Sequence, residues 1–362
     1  MKKKLLMLLG VFTVIIIASV VISKVANPRD IEKNEEEMMI VTSFYPMYIL
    51  TANLVKDVPG VSVVNLTENQ TGCLHDYQLT TQDMRKLVNA DLLIMNGGGM
   101  ESFIESVVSS YPDLEMIDAS QGIEMLASES EHNHDHGISE EGAHTHEDEL
   151  GEEAHTHEDE LGEEAHDHEN GLSKEESHTH EEESEEEHTH SHGEYNAHVW
   201  MNMEYYLDQM ENIYHGLVNK DPVNKQIYDN NYQEYRAEIE TLILEYKQQL
   251  SNIQNTQVVI FHDAFAYLAQ EVGLEVIYTI NMDADTSLSA REVKEIIDEI
   301  NLHSVKVLFT EEQYSDSIAE SVAKETEAKV YVIDSLVTGD FSLSSYVDGM
   351  RYNLKVLQEA LQ

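Results

Sequence analysis

Histidine beside carboxylate is the pattern with the clearest chemical meaning in this chain. Fourteen of its 19 histidines fall between Glu131 and Gly193. They are His132, His134, His136, His144, His146, His155, His157, His166, His168, His178, His180, His188, His190 and His192, mostly in His-x-His pairs among Asp and Glu. Imidazole nitrogen and carboxylate oxygen together suit zinc. An approximate repeat, Gly-Glu-Glu-Ala-His-Thr-His-Glu-Asp-Glu-Leu, brings its first histidine back at His144, His155 and His166, as tandem expansion would. The stretch holds 24 acidic residues, one basic residue (Lys174) and no aromatic. It cannot bury enough apolar surface to offset its ordering entropy, so a disordered loop is expected. Such a loop would be a weak, multivalent metal collector, its carboxylates raising the local cation concentration around neutral imidazoles. The competing reading is a solvated insert grown by replication slippage, with incidental affinity.

The other five histidines stand alone. His75 follows a strand, His198 closes the loop insert, and His262 sits where Val258 to Phe261 turns into a helix. Strand ends and loops are where α/β sheets place ligand sites. His215, on a polar helix, and His303, at a helix-to-strand junction, read as structural. Asp76 and Asp263 adjoin two of the histidines and are candidates to orient them, with facing solvent or capping helices as the competing roles. Cys73 is the only cysteine, which excludes an internal disulfide. No His-Glu-x-x-His and no Gly-x-Ser-x-Gly occurs, which argues against the rival reading of a zinc metallohydrolase.

The elements that must position these residues follow from periodicity. Met39 to Ser43, Val61 to Val64 and Leu92 to Met95 read as strands, with helices over Met47 to Val55 and Thr81 to Val88. Asn96-Gly97-Gly98-Gly99 lacks a following Gly-Lys-Ser/Thr, so it reads as a sharp turn and not as a phosphate loop. Glu204 to Leu217 and Pro222 to Leu250 are helical, the second with Asp221 as N-cap before proline. That second helix would span about 40 Å, enough to run the height of two stacked domains. Four strand-like runs follow, beginning at Gln257, Glu275, Val305 and Lys329, with helices at Phe265 to Val272, Ala290 to Ile300, Ser317 to Thr326 and about Ser344 to Leu361. The expected fold class is α/β: two parallel-sheet lobes joined by a long rigid connecting helix, with a metal site in the interlobe cleft. The expected divisions are an N-terminal lobe over 38–127, the His- and acid-rich loop over 128–195, completion of the lobe over 196–220, the connecting helix over 221–252 and a C-terminal lobe over 253–362.

Charge and the N-terminus bound the function. The net charge is −49, of which the loop supplies −23, so the remaining chain also repels nucleic acid and attracts cations. Lys2 to Lys4 followed by the apolar run Leu5 to Ile22 form an export signal or membrane anchor over residues 1–26. The run is about long enough to span a bilayer. Ser23 gives only a poor cleavage site, which favours an uncleaved anchor and an extracytoplasmic protein.

Several motifs occur together in order. They are Thr42-Ser43-Phe44-Tyr45-Pro46, Gly72-Cys73-Leu74-His75-Asp76-Tyr77, Ala90-Asp91-Leu92 with Asn96 to Glu101, Asn196-Ala197-His198-Val199-Trp200, Phe261-His262-Asp263-Ala264-Phe265 and Phe309-Thr310-Glu311-Glu312-Gln313-Tyr314. In these the chain resembles the extracellular solute-binding proteins of zinc and manganese ABC transporters, with Leu74 where that family usually has proline. The resemblance implies that His75, His198 and His262 are metal ligands, that Asp334 supplies a carboxylate and that Glu311 competes with it for that role. Three imidazoles and one oxygen suit tetrahedral zinc, making Zn(II) the expected bound ligand. It also implies a monomer that passes zinc to a membrane permease and its ATPase, without catalysis. Manganese or another divalent metal, or an anchored zinc buffer or sensor, are the alternatives. Trp200 is expected to be a packing anchor.

Overall fold

The computed structural model describes residues 37–68, 74, 77–104, 111–128, 195–280, 288–311 and 316–362. The N-terminal apolar run, the His-rich stretch, His75, Asp76 and Cys73 lie outside the described residues.

Two four-stranded sheets carry the chain, and every strand pairing in them is parallel. The first contains β1 (Met38–Thr42), β2 (Val61–Asn65), β3 (Leu92–Met95) and β4 (Glu115–Asp118), in the order β2-β1-β3-β4. The second contains β5 (Gln257–Ile260), β6 (Glu275–Thr279), β7 (Val307–Thr310) and β8 (Lys329–Val332), in the order β6-β5-β7-β8. Both sheets thus reverse direction of strand addition beside their first strand, between β1 and β3 and between β5 and β7. Crevices at the carboxyl ends of such strands are the usual ligand sites of open α/β sheets.

Helices α1 (Tyr45–Leu54) and α2 (Thr81–Val88) belong to the first lobe. Thr80 and Asp83 close a reciprocal capping box at the start of α2, a local reason for the helix to begin there. A short 3-10 turn, Val199–Met201, leads into α3 (Met203–Lys220), whose first N–H groups are capped by the Asn202 side chain. The long helix α4 (Lys225–Gln249) runs against α1 and α3 and also against the C-terminal helix α8 (Ser345–Ala360), so it touches both lobes. In the second lobe α5 (Phe265–Val272), α6 (Ala290–His303) and α7 (Asp316–Glu325) connect the strands.

Period-two burial sorts each strand between two environments. Ile40, Val258 and Ile260 point into one core that crosses both lobes, together with Met47, Leu50, Trp200, Tyr206, Leu242 and Leu354. Met39 and Val41 point into a small cluster on the outer face of the first sheet, and Val259 and Phe261 into another on the second. A core continuous between lobes suits small tilts better than wide hinge opening, because close-packed interiors resist shear.

The structure corrects some details of the sequence reading. Glu115–Asp118 is an additional strand; its pattern of exposed Glu115 and Met116 has no apolar alternation to mark it. Pro222–Asn224 forms a separate 3-10 turn before α4. Asp221 does not cap backbone there; its Oδ2 accepts from Asn224 Nδ2 and from Tyr228 Oη, at 2.7 and 3.0 Å.

Candidate metal centre

His262 lies just beyond β5 and Glu311 just beyond β7, at the strand-order reversal of the second sheet. Glu311 is buried; its Oε1 contacts His262 Nδ1 and its Oε2 accepts from Ser335 Oγ at 2.7 Å. A carboxylate there requires the proton on Nδ1, which leaves the lone pair of Nε2 for a metal.

His198 reaches the same place from the other lobe. Its segment is held by Asn96, which follows β3: Asn96 Nδ2 donates to Ala197 O at 2.8 Å. Gln209 Nε2 of α3 in turn donates to Asn96 Oδ1 and to Ser120 Oγ, each at 2.9 Å. Asn196 Oδ1 meets both the His198 N–H and His198 Nδ1, at 3.0 and 2.9 Å. That Asx turn selects the Nδ1–H tautomer, so His198 also presents Nε2.

The two imidazoles stand edge to face, with centroids 4.7 Å apart. Asp263 joins them: its Oδ1 is 3.4 Å from His198 Nδ1 and 3.5 Å from His262 Nε2. Among the described residues these three form the group able to hold a metal ion, each offering a ligand atom within 4.8 Å of the others. Asp263 does not cap α5, whose N-cap is Ala264 without a side-chain bond. It stands beside the histidines instead.

The other expected residues fall as follows. Asp334 is outside that group and exposed; its Oδ1 accepts from Leu336 N, and its backbone N–H and carbonyl are both taken by the Asn353 amide, at 2.8, 2.8 and 2.7 Å. His75 lies outside the described residues, but its described neighbours are anchored in the first lobe. Leu74 is buried in the core, and Tyr77 Oη donates to Asp83 Oδ2 at 2.7 Å. His215 and His303 are surface residues opposite Glu211 and Glu299 on their own helices, as structural histidines would be.

Trp200 is completely buried and packs edge-on against Phe44, 5.0 Å between centroids. Its Nε1 donates to Ser335 O and its carbonyl accepts from Tyr346 Oη, both at 2.8 Å, so it sews the His198 segment to the second lobe. The glycine turn behaves as structure. Gly97, Gly98 and Gly99 all have positive φ, and the Asn96 and Gly97 N–H groups donate to the buried Glu101 carboxylate, at 2.6 and 3.1 Å. Those donors are therefore already answered by an internal anion. Burial pushes the Glu101 carboxyl up to about 7 despite these bonds.

Residues given no role of their own from sequence support the site: Asn196, Gln209, Tyr267 and Ser335. Only Asn196 carried a signal, as an Asx residue two positions before a histidine.

The family model described as zinc-uptake complex component A, periplasmic (ZnuA) matches residues 40–360. The chain belongs to this zinc-uptake component family. The high-affinity zinc uptake system protein ZnuA of Bacillus subtilis is 28% identical over 334 residues, covering 90% of this chain and 88% of that protein. The iron-binding protein YfeA of Yersinia pestis is 25% identical over 332 residues, covering 90% and 87%. Among solved structures, the solute-binding protein FpvC of Pseudomonas aeruginosa with Ni2+ superposes with a TM-score of 0.66 at 21% identity, covering 90% of this chain and 97% of that one. That likeness bears on the fold of the zinc-uptake family member described above: two parallel-sheet lobes.

Proposed function

We propose that this protein captures Zn(II) outside the cytoplasm and delivers it to the permease of an ABC-type importer. The observation that carries the reading is the buried pair His198 and His262, one from each lobe, each with an acceptor on Nδ1 that selects the Nδ1–H tautomer. Nitrogen donors with a carboxylate are a zinc donor set, and membership of the zinc-uptake family points the same way. His75 would be the third imidazole. The oxygen would come from Asp334 or from Asp263, which stands against both histidines, while Glu311 orients His262.

The chain acts by binding and release, without catalysis. Residues 1–26 would export it and hold it at the outer membrane face, and the fourteen histidines of 128–195 would gather zinc for the tighter site. The domain limits given above, with a monomer as the working unit, complete the reading. The iron-binding name of the Yersinia pestis relative keeps a second reading open, in which another divalent metal is the cargo.

The test is a competitive titration with zinc and manganese, on the full chain and on a variant lacking residues 131–191. One tight zinc per chain that survives the deletion and disappears in the His198→Ala, His262→Ala double variant is expected. Loss of all tight zinc on deletion would put the metal in the histidine-rich stretch alone and end the transport reading.

A further inference from the structure

Asp263, Tyr267 and Glu271 recur every four residues at and along α5, the spacing that brings side chains to one helix face. All three meet the segment that carries His198. Asp263 Oδ1 approaches His198 Nδ1, Tyr267 Oη donates to Asn196 O at 2.7 Å, and Glu271 Oε2 accepts from the N–H of Met203, the first residue of α3, at 2.7 Å. His198 therefore lies between two attachment points, Asn196 and Met203, both fastened to one helix. That helix starts at the turn bearing His262, so α5 follows one histidine and fixes the chain of the other.

Glu271 is a costly residue for this task if stability were the only purpose. Its Oε1 is buried and has no hydrogen-bond partner among the described residues. Glu204 of α3, Lys247 and Tyr246 of α4 and Tyr346 of α8 are the titratable groups around it. Burial pushes its carboxyl up to about 7, against the Met203 N–H, which favours the anion; Glu204 adds to the rise and Lys247 opposes it. The anion nevertheless suits its position, because the start of a helix carries partial positive charge.

We propose that Glu271 is a positioning residue for the metal centre: by holding the start of α3 it sets His198 against His262, and it holds best as a carboxylate, so zinc affinity responds to protons through a group that never touches the ion. This rests on the zinc reading above. A residue one step removed from the ligands is thereby coupled to capture, as partners of metal-bound histidines are. Acidification would then weaken binding by two routes, protonation of the imidazoles and a weaker hold of the neutral carboxyl on the start of α3.

The experiment measures zinc affinity of the full chain by chelator competition at pH 6, 7 and 8, with metal-free melting temperatures alongside, for the wild type, E271Q and E271A. At pH 8, E271A should bind zinc about tenfold more weakly, the lower end for loss of a ligand's supporting partner. E271Q keeps an acceptor for Met203 and should lie between. Its affinity should fall less than that of the wild type from pH 8 to pH 6, since only the imidazoles still titrate. Its melting temperature at pH 8 should equal or exceed that of the wild type, because a buried charge is gone. Wild-type affinity and pH slope in both variants, or affinity losses that merely track melting temperature, would overturn the proposal. Absence of a tight site in the wild type at pH 8 would overturn the zinc reading itself, and the proposal with it.

Discussion

Removing the Glu311 carboxylate should separate orientation of a ligand from ligation. Glu311→Ala leaves two buried donors without their acceptor, His262 Nδ1–H and Ser335 Oγ–H. An unanswered buried donor costs about 1–3 kcal/mol. His262 would then be free to rotate or to change tautomer, and loss of such a partner lowers metal affinity about 10–100-fold, or roughly 1.4–2.8 kcal/mol. Glu311→Gln can accept from His262 through its amide oxygen while the Ser335 hydroxyl turns to accept from the amide nitrogen. Hydrogen bonds are conserved and only the charge is lost, so the loss should be about tenfold or less. Ser335→Ala removes one arm of the chain and should cost about 1 kcal/mol, roughly fivefold. Zinc dissociation constants from competition with a chromophoric chelator, at a pH where the histidines are neutral, give all three values. Zinc binding by Glu311→Ala within twofold of wild type would refute the reasoning. Equal, severe losses in the Ala and Gln variants with none in Ser335→Ala would instead make Glu311 a ligand.

Other outcomes follow from the same contacts. Trp200→Phe loses the bond to Ser335 O and leaves space in the core that joins the lobes, and should lower unfolding free energy by about 2–3 kcal/mol in denaturant titration. The Glu101 carboxyl titrates near 7 when folded, above its ordinary 4.5, so the folded chain holds that proton more tightly. Its contribution to stability is full below pH 4.5 and is lost as pH rises through about 7, by roughly 3 kcal/mol at most. Glu101→Gln should therefore flatten the decline in metal-free stability between pH 5 and pH 8, and an unchanged slope would contradict the assignment. Gly97→Ala places a methyl 2.0 Å from Asp118 Oδ1 at a φ of +87°, and should lower unfolding free energy by more than the about 1–2 kcal/mol of the backbone conformation alone, read as a drop in melting temperature.

Much of the scaffold is legible in the sequence because the signals are local. A short continuous apolar run marks Leu92–Met95, the 3.6-residue period marks Thr81–Val88 and Phe265–Val272, and all three occur within the bounds read from sequence. Boundaries move by up to three residues where a terminal turn tightens, as at Pro222–Asn224. The edge strand Glu115–Asp118 escapes because its pairing with β3 is made by backbone groups, to which side-chain alternation is blind.

For the metal centre, residue chemistry alone picks out His198 and His262, since a histidine at a strand end beside polar turn sequence is a plausible ligand wherever the chain goes next. What sequence cannot supply is the meeting of the two across 64 positions, nor the tautomer of His262. Both depend on tertiary partners: Asn96, which holds the His198 segment through Ala197 O, and Glu311 with Ser335 behind His262, whereas the His198 tautomer is set locally by Asn196. Asp263 shows the limit most clearly. From sequence it could cap a helix or face a ligand, because either role needs only a short carboxylate at a helix start. The packing of α5 against the His198 segment decides between them, and that packing is fastened by Tyr267 and Glu271 acting over long separations in the chain.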